Sequence, residues 1–327
     1  MRRGIAVAFL LGMTSPALAD QNDLVLSRLA TRMEDSGGDL IGVVGQNLEL
    51  RALSSQLGVV LAPHLLTPAD TLGFGGFQLS VDYSVTTIDA RANYWRALQS
   101  SADPAGGGSA QHGDGMMRTV GMFVRKGMWF PVPSMEVGAG AIHLIDSHTW
   151  AGQIYTKLAL HEGYHQLPIP SLSVRGAVSR MMNQRELDLT VSSVDIALSK
   201  HFGVGSTWRF DPYGGWNLLM IVPRSEVIDP TPNIDPLTMG NENDLLLNFV
   251  FKDQDVILRN RFFVGAKMQY YVFQLTIEAS FALAGSSVDD RTGTNEPCLP
   301  NSMTTACDAK DTAAAQRTLS MSAGFSF

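Results

Sequence analysis

From Leu72 to its end, the chain alternates apolar and polar residues. Phe77, Leu79, Val81, Tyr83 and Val85 interleave with Gln78, Ser80, Asp82, Ser84 and Thr86. The last nine residues do the same, with Leu319, Met321, Ala323, Phe325 and Phe327 set between Ser320, Ser322, Gly324 and Ser326. A strand sends successive side chains to opposite faces, so each segment has one apolar and one polar face. The pattern recurs at 117–126, 136–145, 150–160, 172–178, 187–200, 208–220, 261–270 and 273–283. The segment 187–200 changes phase near Ser192-Ser193, which predicts a bulge.

These segments predict an all-β fold: a transmembrane, antiparallel, up-and-down barrel of about 10 strands. Hydrocarbon leaves no partner for an open sheet edge, so alternating strands with no long apolar run must close on themselves. The connections support the count. The long ones, 90–115, 223–260 and 285–312, follow the first, seventh and ninth strands and so fall at one end, the external one; the others are short. Extra elements in 243–260, or two strands before Leu72, would raise the count to about 12. Trp129, Phe130, Trp150, Trp208, Tyr270, Tyr271 and Phe327 fall near strand ends, where interfacial aromatics gather. A periplasmic β-sandwich is the alternative, and it does not account for the asymmetry of the loops.

The tail from Leu319 to Phe327 resembles the C-terminal strand of Gram-negative outer-membrane β-barrel proteins, which typically ends in Phe or Trp. In that family the tail is read by the barrel-assembly machinery. The resemblance therefore implies an assembly signal at Phe325 and Phe327, the assembly machinery as a partner, and outer-membrane lipid as the solvent. The N-terminus agrees. Arg2 and Arg3 precede an apolar run, Ile5 to Met13, and Ala17-Leu18-Ala19 precedes Asp20. That is the layout of a secretory signal peptide over 1–19, cleaved near Ala19/Asp20.

The segment 20–71 breaks the alternation. Leu24 to Met33 reads as an amphipathic helix, and Leu48, Leu50, Leu53, Leu57 and Val60 fall at helical spacing before Pro63 stops the run. We expect a helical element at the periplasmic mouth, partly inside it as a plug. Thr67-Pro68-Ala69-Asp70 resembles the hatch and Asn-Pro-Ala segment of the long-chain fatty-acid transporter family, although the Asn is missing. The resemblance implies a hatch ahead of the first strand.

Composition changes little. The chain is 45% hydrophobic and 17% charged, as expected where only alternate residues face lipid. A net charge of −7 argues against nucleic acid as a partner. Cys298 and Cys307 share one polar segment; a local disulfide is expected, with two free thiols as the alternative.

The polar face carries Asp82, Arg125, Glu136, Lys157, Arg175, Asp195, Arg209, Asp211, Arg261, Lys267 and Glu278. They are either a pore lining that selects solutes or a ladder of ion pairs filling a narrow barrel, since about eight to ten strands leave little more than side-chain room. His161-Glu162-Gly163-Tyr164-His165 matches the zinc-protease spacing, but it ends a strand and runs into Pro168 and Pro170. On a strand the two imidazoles stand about 13 Å apart, too far to share an ion. His143, Asp146 and His148 lie at the outer end of the third strand, where the ten-stranded omptin proteases carry Asp and His. The paired aspartates of that family have no counterpart here, and turn polarity is the plain alternative. No G-x-S-x-G is present. The expectation is a small passive channel or transporter with no cofactor, metal or enzymatic activity. The alternative is a closed-lumen structural or surface-interaction barrel with its long loops outward; a rim enzyme is the least favoured reading. The oligomeric state stays open.

Overall fold

The computed structural model describes residues 20–101, 115–131, 134–163, 169–205, 207–234, 237–238, 240–288 and 310–327. Two strands, β1 (Ala30–Glu34) and β2 (Leu40–Gly45), pair as a separate hairpin, and helix α1 (Asn47–Val60) follows. The alternating segments then appear as β3 (Phe77–Thr87), β4 (Met116–Met128), β5 (Met135–Leu144), β6 (Trp150–His161), β7 (Ser171–Met182) and β8 (Leu187–Ser199). After the three-residue β9 (Phe202–Val204) come β10 (Trp208–Ser225), β11 (Ile257–Tyr270), β12 (Phe273–Ala282) and β13 (Gln316–Ser326).

Each long strand pairs antiparallel with its neighbours in sequence, and β13 pairs with β3 from Thr318↔Thr86 to Ser326↔Gln78. Phe77 and Phe327 then exchange backbone hydrogen bonds of 2.9 and 2.8 Å. Among the described residues, ten long strands thus form a closed ring. β1 and β2 stand outside it, and 242–247 forms a short 3-10 turn, so the higher count of twelve does not arise.

Two local expectations are corrected. The pairing of β8 with β7 and β10 runs without a register shift through Ser192-Ser193, so there is no bulge there. Odd positions of β8 face inward throughout. The apparent change of phase is a change of luminal chemistry, from Leu187, Leu189 and Val191 to Ser193 and Asp195. The irregularity lies instead in β6, between Ala159 and His161. Leu24 to Met33 is not one helix: a 3-10 turn at Leu26–Leu29 gives way to β1. Backbone partners elsewhere compete with helix formation, for Val25 N–H donates to Ala97 and Leu26 N–H to Glu186 Oε2 at 2.6 Å.

The outer surface of the ring is apolar, with Leu79, Val81, Ile154, Val264, Ile277 and Leu319 all exposed. Aromatics cluster at the short-turn end, where Trp208 stacks near Tyr270 at 4.6 Å and Phe273 near Phe325 at 4.9 Å between ring centroids. A closed barrel with an apolar belt and an aromatic girdle is built for a bilayer, and the architecture places the protein in the bacterial outer membrane. Long loops mark the outer end and short turns the periplasmic one.

The segment ahead of β3 occupies the lumen. Leu50, Leu53, Leu57 and Val60 of α1 pack in one core with the inward Leu189, Val191, Leu219, Ile221 and Ile257. Trp95, from the loop after β3, is buried and donates from Nε1 to Gln56 Oε1 of α1 at 3.1 Å. The helix approaches the wall closely at Gly58, where a Cβ would sit 2.6 Å from Ile221 Cδ1. The helix therefore lies in the outer half of the barrel, not at the periplasmic mouth as expected. Buried residues surround it on every side, and only an enclosing wall can cover all of them.

Candidate functional site

Beyond α1 the chain leaves helical form and descends through the lumen to β3 by a series of bends. This strap, residues 61–76, meets the charged wall one carbonyl and one N–H at a time. Gln153 Nε2 donates to Leu61 O at 3.1 Å, and an Arg261 guanidinium N–H donates to Pro63 O. Arg175 Nη1 donates to His64 O at 2.8 Å, and Arg175 is itself bonded to Asp195. Leu66 N–H donates to Glu278 Oε2 at 3.0 Å, an oxygen that also accepts from Tyr213 at 2.9 Å.

Lys157 is the centre of the lower half. Its ammonium donates to Thr67 Oγ1 at 3.1 Å, Pro68 O at 3.1 Å and Asp70 O at 2.8 Å, and lies 3.2 Å from Glu136 Oε2. Glu136 accepts from Tyr155 at 2.7 Å and from Leu72 N–H at 3.1 Å. A buried charge costs several kcal/mol unless paired and hydrogen-bonded, on the order of 3–5 kcal/mol when one partner is removed. Here the strap backbone supplies the missing bonds.

The predicted luminal residues therefore fall into groups. Glu136, Lys157, Arg175, Arg261 and Glu278 hold the strap, and Asp195 backs Arg175. Arg125 lies 3.8 Å from Asp82 across the wall. Asp211 pairs with Arg209 at 2.8 Å and with His201 at 2.6 Å toward the periplasmic end. Lys267 is buried beside Asp211 in the register of β10 and β11. All but the half-buried Arg209 are buried. A cavity of about 10 Å³ bordered by His64, Asp82, Ser84 and Gln153 holds roughly one water.

The zinc-protease spacing does not assemble among the described residues. His161 ends β6, Glu162 accepts from Thr71 N–H at 3.2 Å and Thr71 Oγ1 at 2.6 Å, and His165 lies outside the described residues. Cys298 and Cys307 lie outside them as well, as does the signal segment 1–19.

The His143, Asp146 and His148 group comes apart. His143 bonds Thr149 O at 3.2 Å and stacks on Trp150, while Asp146 O accepts from Asn22 N–H at 2.7 Å. His148 instead meets the N-terminal segment ahead of β1: its Nδ1 lies 2.7 Å from Asp23 Oδ2 and 3.7 Å from Asp20 Oδ2. Asp23 Oδ1 accepts from His148 N–H at 2.7 Å and Ser147 Oγ at 3.1 Å. Burial pushes the Asp23 carboxyl up, but hydrogen bonds from His148, Asp20 and Ser147 outweigh it and hold the carboxyl below its ordinary value. The bond to Asp23 raises His148. The trio is not legible in the sequence: His148 lies 125 positions from Asp23, and no spacing motif connects them.

No protein-family model and no curated protein sequence matches the chain. Solved structures share the barrel fold at low similarity. Ail, the attachment invasion locus protein of Yersinia pestis, matches at 8% identity over 78% of this chain and 99% of its own, with a TM-score of 0.28. The outer membrane protease OmpT from Escherichia coli matches at 8% identity over 79% of this chain and 99% of its own, with a TM-score of 0.32. OmpT, an outer membrane protein of Vibrio cholerae, matches at 8% identity over 65% of this chain and 56% of its own, with a TM-score of 0.24. At these scores the likenesses carry no activity over to this chain. They do correct one expectation: an outer membrane protease stands among these barrels, so the exclusion of enzymatic activity is withdrawn.

Proposed function

We propose that this protein is a closed-lumen outer-membrane barrel whose working surface is its outer cap. The cap comprises residues 20–45 and the described parts of the loops after β3, β10 and β12. One observation carries the reading: the buried Lys157 ammonium is bonded to three oxygens of the protein's own strap and paired with Glu136, leaving it no donor to spare for a passing solute. A ring of about ten strands that already encloses a helix has little further room. Outer-membrane lipid around the belt, and the assembly machinery at Phe325 and Phe327, complete the proposed set of partners.

A transporter whose strap withdraws is the second reading. It is favoured by the strap's lack of helix or strand between Leu61 and Gly76. Planar-bilayer recording separates the two. The intact refolded protein is expected to be electrically silent, and a chain lacking 20–71 to give stepwise conductance. Stepwise conductance from the intact protein would overturn the closed-lumen reading and establish the second.

A further inference from the structure

The trio of Asp20, Asp23 and His148 sits at the outer end, where the N-terminal segment meets the turn between β5 and β6. One donor atom from each side chain lies within 4.8 Å of the others. A tetrahedral Zn²⁺ with ligands at about 2.0–2.1 Å sets neighbouring ligand atoms roughly 3.4 Å apart. The observed separations from His148 Nδ1, 2.7 Å to Asp23 Oδ2 and 3.7 Å to Asp20 Oδ2, straddle that value. Small side-chain rotations suffice to equalise them, and His148 and Asp20 are both about half exposed and so free to make them. Asp23 is the fixed member, with its Oδ1 held by the His148 backbone and Ser147 while Oδ2 faces the imidazole.

The expected signal cleavage adds a fourth donor. Cleavage at Ala19/Asp20, the site expected from the sequence, would turn the Asp20 nitrogen into a free amine. That nitrogen already lies 2.9 Å from Asp23 Oδ2. The group then offers two nitrogens and two carboxylates, a donor set suited to late first-row divalent ions rather than Ca²⁺ or Mg²⁺.

We propose that the Asp20 amine and carboxylate, Asp23 and His148 form a surface site for a divalent transition ion such as Zn²⁺. The ion would fasten the N-terminal segment ahead of β1 to the β5–β6 turn. This stands independently of whether the lumen conducts.

The test is calorimetric titration of the mature, refolded barrel with Zn²⁺ alone. One ion per chain is expected, with binding at least tenfold weaker in His148→Ala, which keeps the backbone N–H that Asp23 uses. Adding Gly-Ser ahead of Asp20 moves the amine away and is expected to weaken binding several-fold. In the same samples, Co²⁺ should give the visible bands of a tetrahedral centre, lost in His148→Ala. Equal affinity in the extended chain would strike the amine from the ligand set. No saturable uptake by the mature barrel, or equal affinity in His148→Ala, would overturn the site.

Discussion

The two halves of the lumen are filled in opposite ways by one continuous segment. In the outer half, α1 meets an apolar wall and backbone bonds are satisfied within the helix. In the inner half, the strap forms neither helix nor strand and its backbone groups are satisfied by wall charges. Wall and filling change together: β8 passes from Leu189 and Val191 to Ser193 and Asp195 at the depth where the helix ends. A buried backbone must find partners somewhere, so a stretch without helix or sheet requires a charged wall.

The inner half should be the more sensitive to losing a single group. Lys157→Met leaves Glu136 buried without its cation and is expected to cost about 3–5 kcal/mol in urea unfolding from detergent micelles. Adding Glu136→Gln should recover much of that loss. A cost under about 0.5 kcal/mol for the single variant would mean the inner half is loosely held and would break the contrast. In the outer half, Leu53→Ala should cost about 3 kcal/mol by leaving a cavity in the apolar core. Replacing the luminal Leu189 by Ser should be damaging, while the same residue type at Ser193 is native. Trp95→Phe removes the indole N–H bonded to Gln56 and should cost about 1 kcal/mol. Intrinsic fluorescence would report the loss of that buried ring.

The smallest effect concerns Glu186, in the turn after β7. Burial pushes its carboxyl up, against the bond from Leu26 N–H, which lowers it. With the folded value raised, the folded state holds more protons than the unfolded one between the ordinary and the raised value. Stability therefore falls as pH rises through that window. Glu186→Gln should flatten this part of the melting-temperature profile and shift neutral-pH stability by less than about 1 kcal/mol. An unchanged slope would place the proton elsewhere.

Period two in the sequence located all ten ring strands, because one face had to meet lipid wherever a strand ran. It also located the inward charges, from Asp82 to Glu278. What they touch was not legible. Arg175 and His64, or Lys157 and Asp70, come together only after the ring has closed around the strap. The apolar luminal residues of β8 broke the polar-in rule and suggested a bulge, since alternation cannot reveal that the lumen holds a helix. His148 found its carboxylates across the fold, beyond the reach of any local motif.

The seam between β3 and β13 has a consequence for the order of assembly. It joins the first ring strand to the last, and so forms only when the whole chain is present. Once it is zipped, residues 47–76 are surrounded, with a folded helix at one end and wall charges bonded along the rest. Passing that helix through a finished ring would strip both of their contacts. The strap is therefore enclosed as the ring shuts, and Phe327, whose backbone bonds to Phe77 finish the seam, ties down the last open edge over an interior that is already filled.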